Sequence, residues 1–174
     1  MKKLLSFLMF ITFSVTSFSQ TKSTTYTESG FSADFPKEPT IQKKNIESKV
    51  GKIDMTLYTC EAESFMIMIS ENKFPQELVT ALDAPGIDGL LNGSKNGALN
   101  NVAKQMGAEL KIISEEKYSY KNKFPALKAI AKLNDYAVTA IYIMKGNQMY
   151  QIILMGDTSK KEAIDFLNSF DVIE

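Results

Sequence analysis

Few side chains in this sequence could do chemistry. Its 174 residues hold one cysteine, Cys60, and no histidine, tryptophan or arginine, so all 20 basic residues are lysines. Without histidine the usual general base and the commonest metal ligand are missing. Without arginine there is no planar fork to grip phosphate or carboxylate in two bonds. Carboxylates, lysine, one thiol and thioethers remain. Glu61 and Glu63 are spaced to share a strand face, and Glu115 adjoins Glu116. Paired carboxylates run acid/base hydrolysis only at a set separation within a cleft, and exposed strand charge is the expected reading. Met66 and Met68 form a Met-x-Met pair whose soft sulfurs suit Cu(I). They lie in an apolar run, where methionine commonly fills gaps, and core packing is expected. Cys60, in the strand-like run from Met55, is expected as a small buried hydrophobe. A reactive or cross-linking thiol is the alternative, since a lone cysteine forms no internal bridge.

Two patterns could bind rather than react. Gly89, Gly93 and Gly97 recur every fourth residue, which makes a bare stripe on a helix. Each costs about 1 kcal/mol of helix propensity against alanine. Close helix–sheet packing is the expected reason, and a ligand or partner lying on the stripe is the other. Lys117 to Lys123 interleaves lysines with Tyr118 and Tyr120. It reads as a solvated hairpin tip, with partner contact as the alternative. Asn92-Gly93-Ser94 fits a glycosylation sequon but falls inside an expected helix and is discounted. No residue is assigned as catalytic, cofactor-binding or metal-binding, and no cofactor is expected.

The elements that would position these residues follow from periodicity. Gly30 to Phe35 alternates apolar residues and stops at Pro36. Thr40 to Val50 and Lys52 to Ala62 read as strands turning at Gly51. Ser64 to Ser70, Val138 to Met144 and Met149 to Met155 are apolar on both faces, as strands covered on two sides must be. Gly146-Asn147 makes a hairpin of the last two. Glu109 to Tyr120 and Phe124 to Leu133 add two strands. A helix is expected from about Pro85 to Met106, capped by Asp83 and stopped at Gly107. A second, from about Ser159 to Phe170, opens with Ser159 and Glu162 in capping-box spacing. Its apolar stripe is Ala163, Phe166, Leu167 and Phe170. The expected fold is α+β: an antiparallel β-sheet of about six to seven strands with helices on both faces, an α/β/α sandwich.

The N-terminus addresses the chain. Two lysines, an apolar run from Leu4 to Val15 and small Ser17 and Ser19 read as a cleavable export signal over residues 1–19. This run of twelve residues, apolar but for Ser6, Thr12 and Ser14, is short for a membrane span, which needs roughly 20; an uncleaved anchor is the alternative. No cysteine near the cut permits lipid attachment, so no membrane insertion is expected after cleavage. Residues 20–29 read as a flexible lead-in and 30–174 as a single domain. The mature chain would carry 18 lysines against 20 acidic residues, which gives no field to draw nucleic acid.

Gly30-Phe31-Ser32-Ala33-Asp34-Phe35-Pro36-Lys37-Glu38-Pro39 resembles the opening strand of the PsbP/Mog1-like superfamily. Gly146 to Ile152, Gly156 and Phe166 to Phe170 are similar to its closing stretch. Leu90 to Ala98 is similar to the Gly-rich central helix of its small secreted bacterial members. The resemblance implies an α/β/α sandwich, no shared catalytic set, and accessory or partner-binding roles such as those of a photosystem extrinsic subunit and a small-GTPase binder. No functional residue carries over.

The expectation is therefore a periplasmic or secreted, non-enzymatic accessory or binding protein whose partner is an envelope or extracellular protein. A small-ligand or metal carrier is the alternative, and a His-independent hydrolase a third reading. Its oligomeric state stays open.

Overall fold

The computed structural model describes residues 24–26, 29–48 and 51–173. The expected signal and its cut at Ser19 lie outside the described residues. In chain order the elements are β1 (Thr24–Tyr26), β2 (Phe31–Ala33), β3 (Thr40–Ser48), β4 (Gly51–Glu61), β5 (Phe65–Lys73), α1 (Gln76–Thr80), α2 (Ala84–Met106), β6 (Leu110–Tyr120), β7 (Phe124–Leu133), β8 (Tyr136–Lys145), β9 (Gln148–Gly156), α3 (Lys161–Ser169) and β10 (Asp171–Val172). Seven strands form the main sheet in the order β3-β4-β5-β9-β8-β7-β6, with every neighbouring pair antiparallel. A small sheet, β1-β2-β10, ties the start of the described chain to its end. The α+β sandwich expected from the pattern is the observed fold. The small sheet and α1 were not foreseen, and β1 falls inside the segment expected as a loose lead-in.

Alternation along β5 sorts the two sides. Phe65, Ile67 and Ile69 point to a core shared with Phe31, Phe35, Tyr58, Tyr150 and the α3 residues Ala163 and Phe166. Phe31 meets Tyr58 edge-on, ring centroids 5.0 Å apart, and stacks on Phe170 at 5.6 Å. The opposite face holds a second core, where Leu91, Leu99 and Ala103 of α2 cover Leu127, Ala129, Val138, Ala140 and Met149. Burial of both faces explains the unbroken apolar runs of β8 and β9.

The start of α2 is as expected: the Asp83 carboxylate accepts from the Gly86 amide at 2.8 Å, and Pro85 sits in the first turn. Gly107 ends the helix in the left-handed region, φ 59°. The expected capping box of α3 is not formed. Asp157 Oδ1 accepts from the Ser159 hydroxyl at 2.6 Å and from its amide at 3.2 Å, so the amide that Glu162 would have met is already taken. Lys160 takes the cap position with no side-chain bond. Among the described residues no helix is long and apolar enough to cross a membrane.

Candidate functional site

Helix α2 lies over β6, β7 and β8. The helix does not reach the same face of β4 and β5 beyond it, and a groove of about 630 Å³ runs between that half-buried face and the flank of the helix. Gly89, Gly93 and Gly97 form the helix wall and are exposed. The packing expected of these glycines is not found. A Cβ built on any of the three meets nothing within 4 Å, so they keep the groove open and do not seat the helix on the sheet. The buried stripe is Leu91, Lys95, Leu99 and Ala103, on another face.

Ile53 and Met55 from β4, with Ile46 from β3, make the apolar floor. Pairing sets Asn72 opposite Met55 and Gln151 opposite Ser70, which brings two amides to the centre. Asn72 is buried and donates from Nδ2 to Ser70 Oγ at 2.9 Å. Ser94 and Asn101 add a hydroxyl and an amide from the helix, and among the described residues no charged side chain lines the groove. Sequence reasoning singled out the glycines but missed these amides. Their signal was the polar break Ser70-Glu71-Asn72 in an otherwise apolar strand, which ended the expected strand three residues early.

The other singled-out residues are scattered. Cys60 is buried, and its thiol donates to the Lys37 carbonyl at 3.5 Å; burial pushes its pKa up, which disfavours the reactive thiolate. Met66 and Met68 are half-buried on the α2 side, and Met68 packs on the core there. Glu61 and Glu63 do not share a strand face: β4 ends at Glu61, and Glu63 lies in the turn to β5. Glu115 and Glu116 alternate to opposite faces of β6, and Glu115 pairs with the buried Lys95. Asn92 lies inside α2, its amide donating to the Asp88 carbonyl at 2.9 Å.

The Lys117–Lys123 segment is the expected hairpin tip, exposed at Lys117, Ser119 and residues 121–123, but its aromatics are not solvated. Tyr118 and Tyr120 turn inward onto the α3-side core. The Tyr120 hydroxyl donates to the Phe170 carbonyl at 3.1 Å, and Lys121 pairs with Asp171. Burial, then the Asp171 charge, pushes the Tyr120 pKa up to about 12. Lys117 pairs with Asp88 at 2.7 Å. The segment thus also ties the C-terminal strand and α2 to the hairpin.

One polar network was not foreseen at all. Glu71 is buried and accepts from Ser29 Oγ at 2.9 Å and Gln148 Nε2 at 2.8 Å, with Lys73 at 3.5 Å. Ser29 also meets the Tyr58 hydroxyl at 2.8 Å. Both carboxylate oxygens are thus engaged, which suits a structural tie between the N-terminal segment and the sheet. Among the described residues no group of three or more His, Cys, Asp or Glu is placed to hold a metal.

No protein-family model matches the chain, and no curated protein matches it in sequence. Among solved structures it is similar to cyanobacterial PsbP (CyanoP) from Synechocystis sp. PCC 6803, determined in solution. The TM-score is 0.55 at 12% identity, over 87% of this chain and 91% of that one. At such identity the likeness speaks to architecture alone, and the chain has a PsbP-like fold.

Proposed function

We propose that this protein is an exported, non-enzymatic accessory protein that binds a stretch of another protein in the groove beside α2. The groove itself carries the reading. It is walled by bare helix backbone at Gly89, Gly93 and Gly97, floored by apolar side chains and furnished with uncharged amides. Amides donate and accept as a peptide main chain does, and the glycines let a partner backbone approach closely. A small-molecule site would instead enclose most of its ligand, whereas this groove is open to solvent. The PsbP-like fold and the resemblance to accessory proteins support the same reading. The N-terminal Lys-Lys start, apolar run and small residues at 17 and 19 support export with cleavage after Ser19.

The test is a photo-cross-linking amino acid placed at Ser94 in the groove and, as control, at the exposed Asn168 on α3. Irradiation of intact cells should give a discrete protein adduct from position 94 in the envelope or extracellular fraction, and none from position 168. Equal adducts at both positions, or a small molecule retained by the purified protein in native mass spectrometry, would replace this reading with a carrier. N-terminal sequencing of the exported protein should begin at Gln20.

A further inference from the structure

The fold brings a third methionine to the Met66 and Met68 pair. Both alternate onto the α2 side of β5, and the pairing with β9 sets Met155 directly opposite Met66 and diagonal to Met68. Cβ atoms of directly opposed residues stand about 4.5–5.5 Å apart and diagonal ones about 7–8 Å, still within reach of long side chains. Methionine is unbranched and turns about three bonds, so three sulfurs at this spacing can meet at one point. The cluster is apart from the groove. Met68 lies four residues along β5 from the groove residue Asn72, about 13 Å at the rise of a strand.

Burial separates these methionines from those that fill space. Met144 and Met149, on the same side of the sheet, are 3% and 0% exposed. Met66, Met68 and Met155 are half-buried; the last two rest on the α2-side core and stay partly open to solvent. Besides one another, the residues paired directly with the three are Thr59, Glu61, Val138 and Ile153. Glu61 is exposed and is the one charge among them, and a carboxylate nearby favours a bound cation. Thioether sulfur is soft and uncharged, which suits Cu(I) and not the oxygen-seeking Mg²⁺ or Ca²⁺.

We propose that Met66, Met68 and Met155 bind one Cu(I) ion through their three sulfurs. The step is ligation alone: the ion arrives as Cu(I), and no electron moves. It does not depend on what the groove holds.

Anaerobic titration of the purified protein with Cu(I), against bicinchoninate as a competing chelator, should show one ion bound per chain. Met66→Leu, Met68→Leu and Met155→Leu keep the volume and lose the sulfur. Each should weaken binding by at least the roughly tenfold that loss of a mere supporting residue costs at a metal site, with melting curves showing that the variants remain folded. X-ray absorption at the copper edge should show sulfur neighbours and no nitrogen or oxygen. Met55→Leu, in the groove, and Cys60→Ala, whose thiol is buried on the α3 side, should bind as the wild type does. No competitive Cu(I) binding, or three folded leucine variants as tight as the wild type, would overturn the proposal. So would loss of binding in Cys60→Ala or Met55→Leu, which would move the ion to the thiol or to the groove. The groove reading survives any of the other outcomes, because none of them involves a groove residue.

Discussion

The ammonium of Lys95, in the middle of α2, donates to the Glu115 carboxylate on the edge strand β6, with side-chain exposures of 5% and 37%. Two helical turns earlier, Asp88 holds Lys117 from the same face of that strand at 2.7 Å. Together the pairs fasten α2 along β6, at one end of the sheet. A helix held there covers β6 to β8 and does not reach over β4 and β5 on that side. The groove lies where the helix, seated on the sheet by Leu91, Leu99 and Ala103 and tied to β6 by these ion pairs, stops short of β4 and β5.

The Lys95–Glu115 pair makes an asymmetric prediction. Removing a partner from a buried pair strands the remaining charge, at a cost of about 3 kcal/mol. Glu115→Ala leaves the buried ammonium alone and should lower the urea midpoint accordingly. Lys95→Met, which replaces the cation by an apolar chain of similar length and leaves a half-exposed carboxylate, should cost much less. Lys117→Ala, from an exposed pair, should cost under about 1 kcal/mol. A Glu115→Ala loss no larger than that of Lys117→Ala would refute the buried-charge account.

Gly93→Ala should stabilise the fold. Its new methyl meets no neighbour, and alanine gains roughly 0.5–1 kcal/mol over glycine within a helix. Urea denaturation should show a raised midpoint, and Gly89→Ala and Gly97→Ala should add to it. If the stripe were a packing contact, each change would be destabilising.

How much of this was legible depends on whether the signal is local. The strands and α2 follow from periodicity and caps, because alternation, Asp83 and Gly107 act within a few residues. The α/β/α layering follows from runs such as Ile152-Ile153-Leu154, which need cover on both faces. The glycine spacing announced a bare helix flank, but whether it met a sheet or solvent depended on contacts with distant strands, such as Leu99 on the β7–β8 core and Lys95 with Glu115, twenty residues away. The α3 cap misread has the same root. Ser159 and Glu162 had the right spacing, yet Asp157 takes the Ser159 amide that Glu162 would have accepted from. The Ser29–Glu71 tie spans 42 residues, and no local pattern encodes it.

Gly156 is the converse of Gly93. It ends β9 at φ +117°, and a Cβ there would stand 2.4 Å from the Ser64 carbonyl oxygen and 2.8 Å from Phe65 Cα. Both neighbours are backbone of β5 and its entry turn, so neither can swing away. Gly156→Ala should therefore destabilise by several kcal/mol, through strain at a left-handed position plus displaced strand pairing. Thermal melting would show this as a large fall in Tm. A loss within the ordinary range of a surface substitution would mean that β9 can end in another conformation.

Tyr150 predicts how stability falls in alkali. Its ring is buried between Phe31 and Phe170, and its hydroxyl donates to the Gly30 carbonyl at 3.3 Å. Burial, then the Glu71 charge, pushes its pKa from the ordinary 10 up to about 12. Between those values the unfolded phenol has lost its proton while the folded one keeps it. The folded state then binds more protons, so stability drops as pH rises, by about 1.4 kcal/mol per pH unit for one such group. Below pH 10 the contribution is fully present. Urea midpoints measured from pH 9 to 12 should fall for the wild type and fall less steeply for Tyr150→Phe, which has no proton to lose there. Tyr120 and Tyr142 titrate in both proteins and set a shared slope, so the difference between the two curves reports Tyr150. Parallel curves would mean that its hydroxyl ionises in the folded protein as readily as in water.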